Sequence, residues 1–516
     1  MKKVLSAAYP NVYEGAADIY VYVLARGLNV LKPGGRLGFI VPNKWLRANY
    51  GQKLRDTLTT QYRPELLVDF GHAPIFPDAD TFPVVAIIRR PHQADSAEPP
   101  TLRVCPVPRE ELDKIKLASF VEKHAFGVPT LLLKPQGWTL EPPEILRLFE
   151  KIMGSGQPLK EFVGDVPYRG VLTGLNEAFF IDQSTRERLI TEDPKCEKLI
   201  KKLLRGGNIQ RWTAEWEKEW ILVLPSSHNG TWPWAKFTDK TAKAEEIFKR
   251  AFPSLHAHLK PIEQALRKRE DQGKFWWELR ACDYYDKFEE PKIIYQDIQF
   301  HSWFAFDQEG CYLNNSSYFV SSRDLYLLSL LNSSLLWWFN YRYLPHGKDE
   351  ALRTFTFLIE SLPVPDPATA SRVKIEACAD RLIELAKLFI HKRASFLQWI
   401  THETGITKKI PVSFESPWRL RPEEFLSGLK KAGLRHSSPA ILQHLIQTFE
   451  TESVDLRNNR TEALQLERQL DELIFKIYKL TPDEITLLHQ TGPPRSPLTV
   501  LSESLTGFHT STPQTT

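Results

Sequence analysis

No stretch of this 516-residue chain stays apolar long enough to span a bilayer. The nearest, Leu325 to Tyr341, is interrupted by Asn332, Ser333, Ser334 and Asn340 and reads as buried core. Met1-Lys2-Lys3-Val4 is not followed by an apolar signal region with a small-residue cleavage site. Cysteine is scarce. Cys105, Cys196, Cys282, Cys311 and Cys378 stand singly, an odd set that argues against a disulfide frame and a zinc site, and for a reducing, cytoplasmic setting. His301 and Asp297 could start a metal pair, but no third ligand stands near them, so no metal is expected. An excess of one charge is lacking too. The net charge of +4 is too small to establish a nucleic-acid partner.

Aromatic residues are abundant. Most of the 14 Trp fall between Trp138 and Trp338, mixed with Arg and Lys. Aromatics beside cations suit base stacking and phosphate contact, and they equally suit a large core. The length exceeds what one core usually organises, so several domains are expected.

Residues 1–90 read as alternating helices and strands. Asp18 is placed to cap a helix carrying Val21, Leu24, Leu28 and Leu31 on one face. Pro33-Gly34-Gly35 ends it in a tight turn, and the run from Leu37 to Val41 predicts a strand buried on both faces, as in a parallel sheet. A helix near Gly51 to Thr60 leads to strands at Leu66 to Phe70 and Val84 to Ile88. This is an α/β pattern. In such sheets sites lie beyond the carboxyl ends of strands, so Val41 to Trp45 points at one, although an ordinary turn explains it as well.

Residues 91–156 read as linker and connector, with a Pro-, Ala- and acid-rich stretch from His92 to Thr101. Residues 157–365 carry short strands and many aromatics, an α+β pattern closed by Pro363-Val364-Pro365-Asp366-Pro367. Residues 366–489 are helical. Ile375, Leu382, Leu385 and Phe389 share one face, and Leu466, Leu470, Leu473, Ile477 and Leu480 predict a helix–helix seam. Residues 490–516, rich in Ser, Thr and Pro, predict a disordered tail. No internal repeat is visible.

An ordered set of segments carries a resemblance. It starts with Asp18-Ile19-Tyr20, the turn Leu31-Lys32-Pro33-Gly34-Gly35-Arg36, Ile40-Val41-Pro42-Asn43-Lys44-Trp45, Tyr50-Gly51 with Leu54-Arg55, and Asp69-Phe70-Gly71-His72-Ala73-Pro74-Ile75-Phe76-Pro77. It continues through Gly170 to Phe179, Leu204-Arg205-Gly206-Gly207-Asn208-Ile209, Trp277-Glu278-Leu279-Arg280 and Pro291-Lys292-Ile293-Ile294-Tyr295. Ser361-Leu362-Pro363-Val364-Pro365 and the run from Ile474 to Leu480 complete it. In this order the segments resemble gamma-class adenine-N6 DNA methyltransferases of the Type IIG restriction–modification family, with a TaqI-like C-terminal specificity domain. The likeness reaches to about Leu488.

It implies the C-terminal part of a Rossmann-like methyltransferase sheet, then a target-recognition domain, then a helical region. S-adenosylmethionine is the implied methyl donor and double-stranded DNA the implied substrate. The family's glycine motif and its Asn-Pro-Pro-Tyr motif do not occur here. The expectation is therefore a chain truncated just after Asn-Pro-Pro-Tyr, partnered by an N-terminal methyltransferase fragment and inactive alone. A non-catalytic specificity subunit and an inactive gene remnant remain as alternatives.

Phe76 falls where the family stacks a second aromatic on the flipped adenine, although it could simply plug a strand end. Asp18 and Tyr20 fall on the cofactor side of the family's post-catalytic helix, and a helix cap and a packed ring explain them equally. Thr173, Asn176, Arg205, Asn208 and Arg211 are the candidate DNA-binding residues: Arg pairs with guanine and Asn with adenine in the major groove. Capping turns and facing solvent is the competing reading. The run Arg267-Lys268-Arg269 fits a phosphate-contacting or solvated face, and Trp276-Trp277 fits core.

Overall fold

The computed structural model describes residues 2–493 except 72–74, 77–80, 93–99, 109–111, 113, 136, 230, 238–241, 348–350, 407–410 and 435–437. The chain divides into two units. One is Met1–Gly154 with Phe339–Leu352, and the other is Ser155–Trp338 with the chain from Arg353 onward.

In the first unit α1 (Lys2–Ala8) and α2 (Ile19–Asn29) precede β1 (Arg36–Pro42). Asp18 has the extended backbone of an N-cap, and its carboxylate accepts the Ile19 amide. Val21, Leu24 and Leu28 are buried on one face, whereas Leu31 lies past the helix end. At the glycine turn the Gly35 amide donates to the Lys32 carbonyl at 2.8 Å, and Gly34 takes a φ of 79°, the left-handed region that glycine enters without strain. There follow α3 (Gln52–Thr60), β2 (Arg63–Asp69), β3 (Pro83–Arg89), β4 (Thr101–Pro106), α4 (Leu117–His124), β5 (Phe126–Pro129) and α5 (Pro143–Met153). The sheet order is β1-β3-β2-β4-β5. Leu24 and Leu28 of α2 join Leu54 and Leu58 of α3 over Leu67 and Ala86 of the sheet in one buried cluster. Each such leucine contributes roughly 1.5–3 kcal/mol by leaving water.

Two expectations are corrected here. β1 is not a parallel strand buried on both faces. It pairs antiparallel with β3, Leu37 opposite Ile88 and Val41 opposite Val84, and it ends the sheet. Its side chains alternate in exposure, and Ile40 is 45% exposed. An apolar run reads the same whether its second face is covered or open, so sequence could not separate the two. Nor does the sheet stop at residue 90. β4 lies parallel to β2 and β5 antiparallel to β4, both within the stretch read as linker and connector. Residues 93–99 of that stretch lie outside the described residues.

The second unit holds two four-stranded sheets. These two sheets are built from β6 (Tyr168–Arg169), β7 (Phe180–Ile181), β8 (Ile200–Leu204), β9 (Trp220–Leu222), β10 (Lys292–Gln296), β11 (Phe304–Asp307), β12 (Tyr312–Leu313) and β13 (Ser317–Val320). One sheet runs β12-β8-β9-β7 and the other β11-β10-β13-β6. Trp276 and Trp277 belong to their shared apolar cluster, as expected. At the start of β10 the buried Lys292 ammonium meets Asp307 at 2.6 Å, and Asp307 also accepts the Glu309 and Cys311 amides at 2.9 and 2.8 Å. A buried charge pair persists only when its remaining valences are filled in this way.

The run Leu325 to Tyr341 forms α6 (Leu325–Asn332) and most of α7 (Ser334–Tyr343), and its residues through Asn340 are buried. Among the described residues no helix is long and apolar enough to cross a membrane. After them come α8 (Thr369–Thr404), α9 (Pro422–Ala432) and α10 (Pro439–Ile477). α8 packs on α10, with Ile375, Leu382 and Leu385 buried as read. On α10 the seam is displaced. Leu470, Ile474 and Phe475 are buried, while Leu466, Leu473 and Ile477 are half-buried and Leu480 lies past the helix end. The inward position beside Leu470 is taken by Asp471, which no leucine pattern reveals. Helix Pro482–Gln490 closes the described part, and residues 494–516 of the expected tail lie outside it.

Candidate nucleic-acid interface

β1 and β2 run in the same direction because each is antiparallel to β3. Their carboxyl ends therefore meet at one edge of the sheet, where Asn43 Nδ2 donates to Asp69 Oδ1 at 3.1 Å. The same oxygen accepts the Gly71 amide at 3.0 Å, and the Asn43 amide donates to the Phe82 carbonyl at 2.6 Å. Both residues belong to segments that carry the resemblance, and only their contact shows them to be partners. Ile75 packs against the cluster of Val68 and Phe70, so the chain is anchored just before Phe76, whose ring is 44% exposed. Of the segment from Gly71 to Pro77, residues 72–74 and 77 lie outside the described residues.

The Tyr20 hydroxyl pairs with that of Tyr50 at 2.7 Å. Burial and this partner hold its pKa far above the ordinary phenol value. The Arg55 guanidinium is buried against the carbonyls of Trp45, Ala48 and Pro135, and burial pulls its pKa down to about 10. It fastens the turn that follows β1. Asp18 caps its own helix start, and the Tyr20 hydroxyl is bonded to that of Tyr50.

In the second unit the five recognition candidates fall into two local pairs and a bridge. The Thr173 hydroxyl donates to Asn176 Oδ1 at 2.7 Å and accepts the Leu175 amide at 3.2 Å. The buried Asn208 accepts the Arg205 amide at 2.7 Å, and Arg205 grips Glu219 through two bonds of 2.6 and 2.7 Å. Arg211 donates to Glu467 at 2.5 Å and to the Ser302 carbonyl at 3.0 Å, while Trp212 donates to the same Glu467 at 2.8 Å. Thr173, Asn208 and Arg211 thus shape backbone, and Arg205 is the exposed guanidinium of the set. Glu219 occupies Nε and Nη2 of Arg205, and its remaining N–H groups are those that could meet a base or a phosphate.

The basic run is divided. Arg267 pairs with Glu263 at 2.7 Å. Arg269 is not on a solvated face: it is buried, holds the carbonyls of Thr173, Trp276 and Glu278, and has its pKa lowered to about 10 by burial. Sequence could not separate the two, because the helix ends at Lys268 and the next residue turns inward. Glu278 anchors the same region, buried among the Ser227 amide and hydroxyl, the Trp234 indole at 2.8 Å and the Phe275 amide. Asp297 pairs with Arg353 at 2.9 Å.

The fold is mixed α/β, and its polar candidates are held in turns by their own hydrogen bonds. Residues 1–76 match the Eco57I restriction-modification methylase family, residues 201–364 the TaqI-like C-terminal specificity domain, and residues 368–474 a domain of unknown function (DUF8810). The Type II methyltransferase M.PaeR7I of Pseudomonas aeruginosa is 25% identical over 62% of this chain and 53% of its own length. The Type II methyltransferase M.XhoI of Xanthomonas vasicola is 24% identical over 63% of this chain and 57% of its own length. The chain thus spans about half the length of these curated relatives. The solved Type IIL restriction-modification enzyme MmeI, in complex with DNA, shares its fold at a TM-score of 0.52 and 12% identity, covering 98% of this chain and 55% of that one. These matches make the chain similar to restriction–modification methylases at residues 1–76 and to their TaqI-like specificity domain at residues 201–364.

Proposed function

We propose that this chain is the DNA-reading part of a site-specific, adenine-N6 DNA methyltransferase of a restriction–modification system, acting in the cytoplasm on double-stranded DNA. The specificity-domain match over residues 201–364 carries this reading. S-adenosylmethionine is the methyl donor of the complete enzyme. Asp18 and Tyr20 would line the cofactor side, and the Asn-Pro-Pro-Tyr motif that holds the target amine, which this sequence does not contain, would come from an N-terminal methyltransferase fragment or subunit. On this reading β1 to β3 are the C-terminal strands of a Rossmann-like sheet. What supports the partner is the open end of that sheet at β1, in a unit whose α2 exposes Ile19 and Val23.

The residues of this chain then have separate tasks. Arg205 and neighbouring cations hold phosphates or base edges, with Asn176 at the turn capped by Thr173. Phe76 offers an exposed ring on which a flipped adenine can stack. Binding of the full chain to a short fluorescent duplex, followed by anisotropy, tests the DNA reading. Affinity is expected to fall linearly with log salt between ~50 and ~200 mM, and Arg205→Gln to lower the slope by about one. A chain that does not bind at the lower salt overturns it.

A further inference from the structure

Resting on the reading as a DNA-binding chain, we infer that Phe357 forms a stacking wedge that takes a base-pair step of duplex DNA, a role outside the five recognition candidates. Three flat groups are layered at this point. The Arg353 guanidinium lies 4.8 Å from the centre of the Phe355 ring, and Phe355 lies 5.7 Å from Phe357 with the planes 11° apart. The base of the stack is fixed. Arg353 donates to Asp297 at 2.9 and 3.3 Å, and the Thr354 amide donates to the Asp297 carbonyl at 3.0 Å. The outer end meets water, Phe357 being 49% exposed.

The segment fastened to it is also apolar on its surface. Ile298 is exposed, Phe300 is 40% exposed, and His301 stacks on Trp303 at 5.0 Å. The rings of His301, Trp303 and Phe355 are half-buried, and Phe357, at the outer end of the guanidinium–Phe355 stack, is the most exposed of them. The Phe300 and Phe355–Phe357 segments both fall inside the matched specificity domain. Rings backed by cations take nucleobases face to face, and apolar wedges of phenylalanine enter partly unstacked base steps.

The test uses the full chain and a short fluorescein-labelled duplex of mixed sequence, read by anisotropy over a salt series. Phe357→Ala is expected to bind about tenfold more weakly with an unchanged salt slope, because a stacking contact releases no counterions. Phe357→Trp is expected to restore affinity. Equal binding by the wild type and Phe357→Ala overturns the wedge and leaves the DNA reading standing. A loss accompanied by a shallower slope also overturns it, since the ring would then act through a phosphate contact. A wild-type chain that binds no duplex overturns the DNA reading and the wedge together.

Discussion

Asp471 is a carboxyl buried in the second unit, accepting the Ser334 amide at 3.0 Å and the Ser334 hydroxyl at 2.5 Å. Burial pushes its pKa up to about 6, against the opposing pull of the Ser334 bonds and of Arg211. A carboxyl whose folded pKa exceeds its unfolded value, about 3.9, stabilises the fold while protonated. Its contribution is therefore present below about pH 4 and lost as pH rises through about 6, each tenfold gain in proton affinity being worth ~1.4 kcal/mol. Asp471→Asn keeps an acceptor for Ser334 and cannot ionise. Melting followed from pH 4 to pH 7 should show a fall in stability over this window that the variant lacks; identical profiles would refute the assignment. Several motif residues prove to be of this structural kind. Lys292, Glu278 and Arg269 are of residue types that are mostly exposed, yet each is buried with its polar atoms bonded, Glu278 and Arg269 reaching partners far along the chain. For Glu278 and Arg269 the partners at Trp234, Ser227 and Thr173 lie 44 to 96 positions away, so no local pattern announces their burial.

At the scale of elements, the turn Pro33-Gly34-Gly35, the cap at Asp18 and the strands near 66–70 and 84–88 were legible because each depends on neighbouring residues alone. The direction of β3 was not legible, because pairing is decided by residues about fifty positions away. That direction also makes β1 the end strand of its sheet among the described residues, with Ile40 exposed on it. Co-expression with a fragment carrying the glycine motif and Asn-Pro-Pro-Tyr should raise the solubility of the chain. Ile40→Lys should remove that gain by placing a charge where the covering strand packs. If the charged variant is rescued as well as the wild type, as judged by soluble yield and co-purification, this edge is not where the partner binds.

Across the whole molecule the sequence conveyed the order of regions better than their limits. The recognition region and the long C-terminal helices, expected as separate domains, fall in one unit, tied by bonds such as Arg211–Glu467 and Ser334–Asp471. The recognition candidates were found by residue type near turns, which is how Arg205 was chosen, but type alone could not show that Asn208 is its cap or that Glu219 is its present partner. The central claim, that this chain directs adenine methylation to one DNA sequence, is tested most directly by mapping methylated adenines at single-base resolution in DNA from cells that co-express the chain with the complementary fragment. N6-methyladenine should appear at a single defined sequence, disappear without either half, and decline with Phe76→Ala while the two halves still co-purify. Methylation scattered without sequence preference, or none from a soluble and associated pair, would contradict the claim.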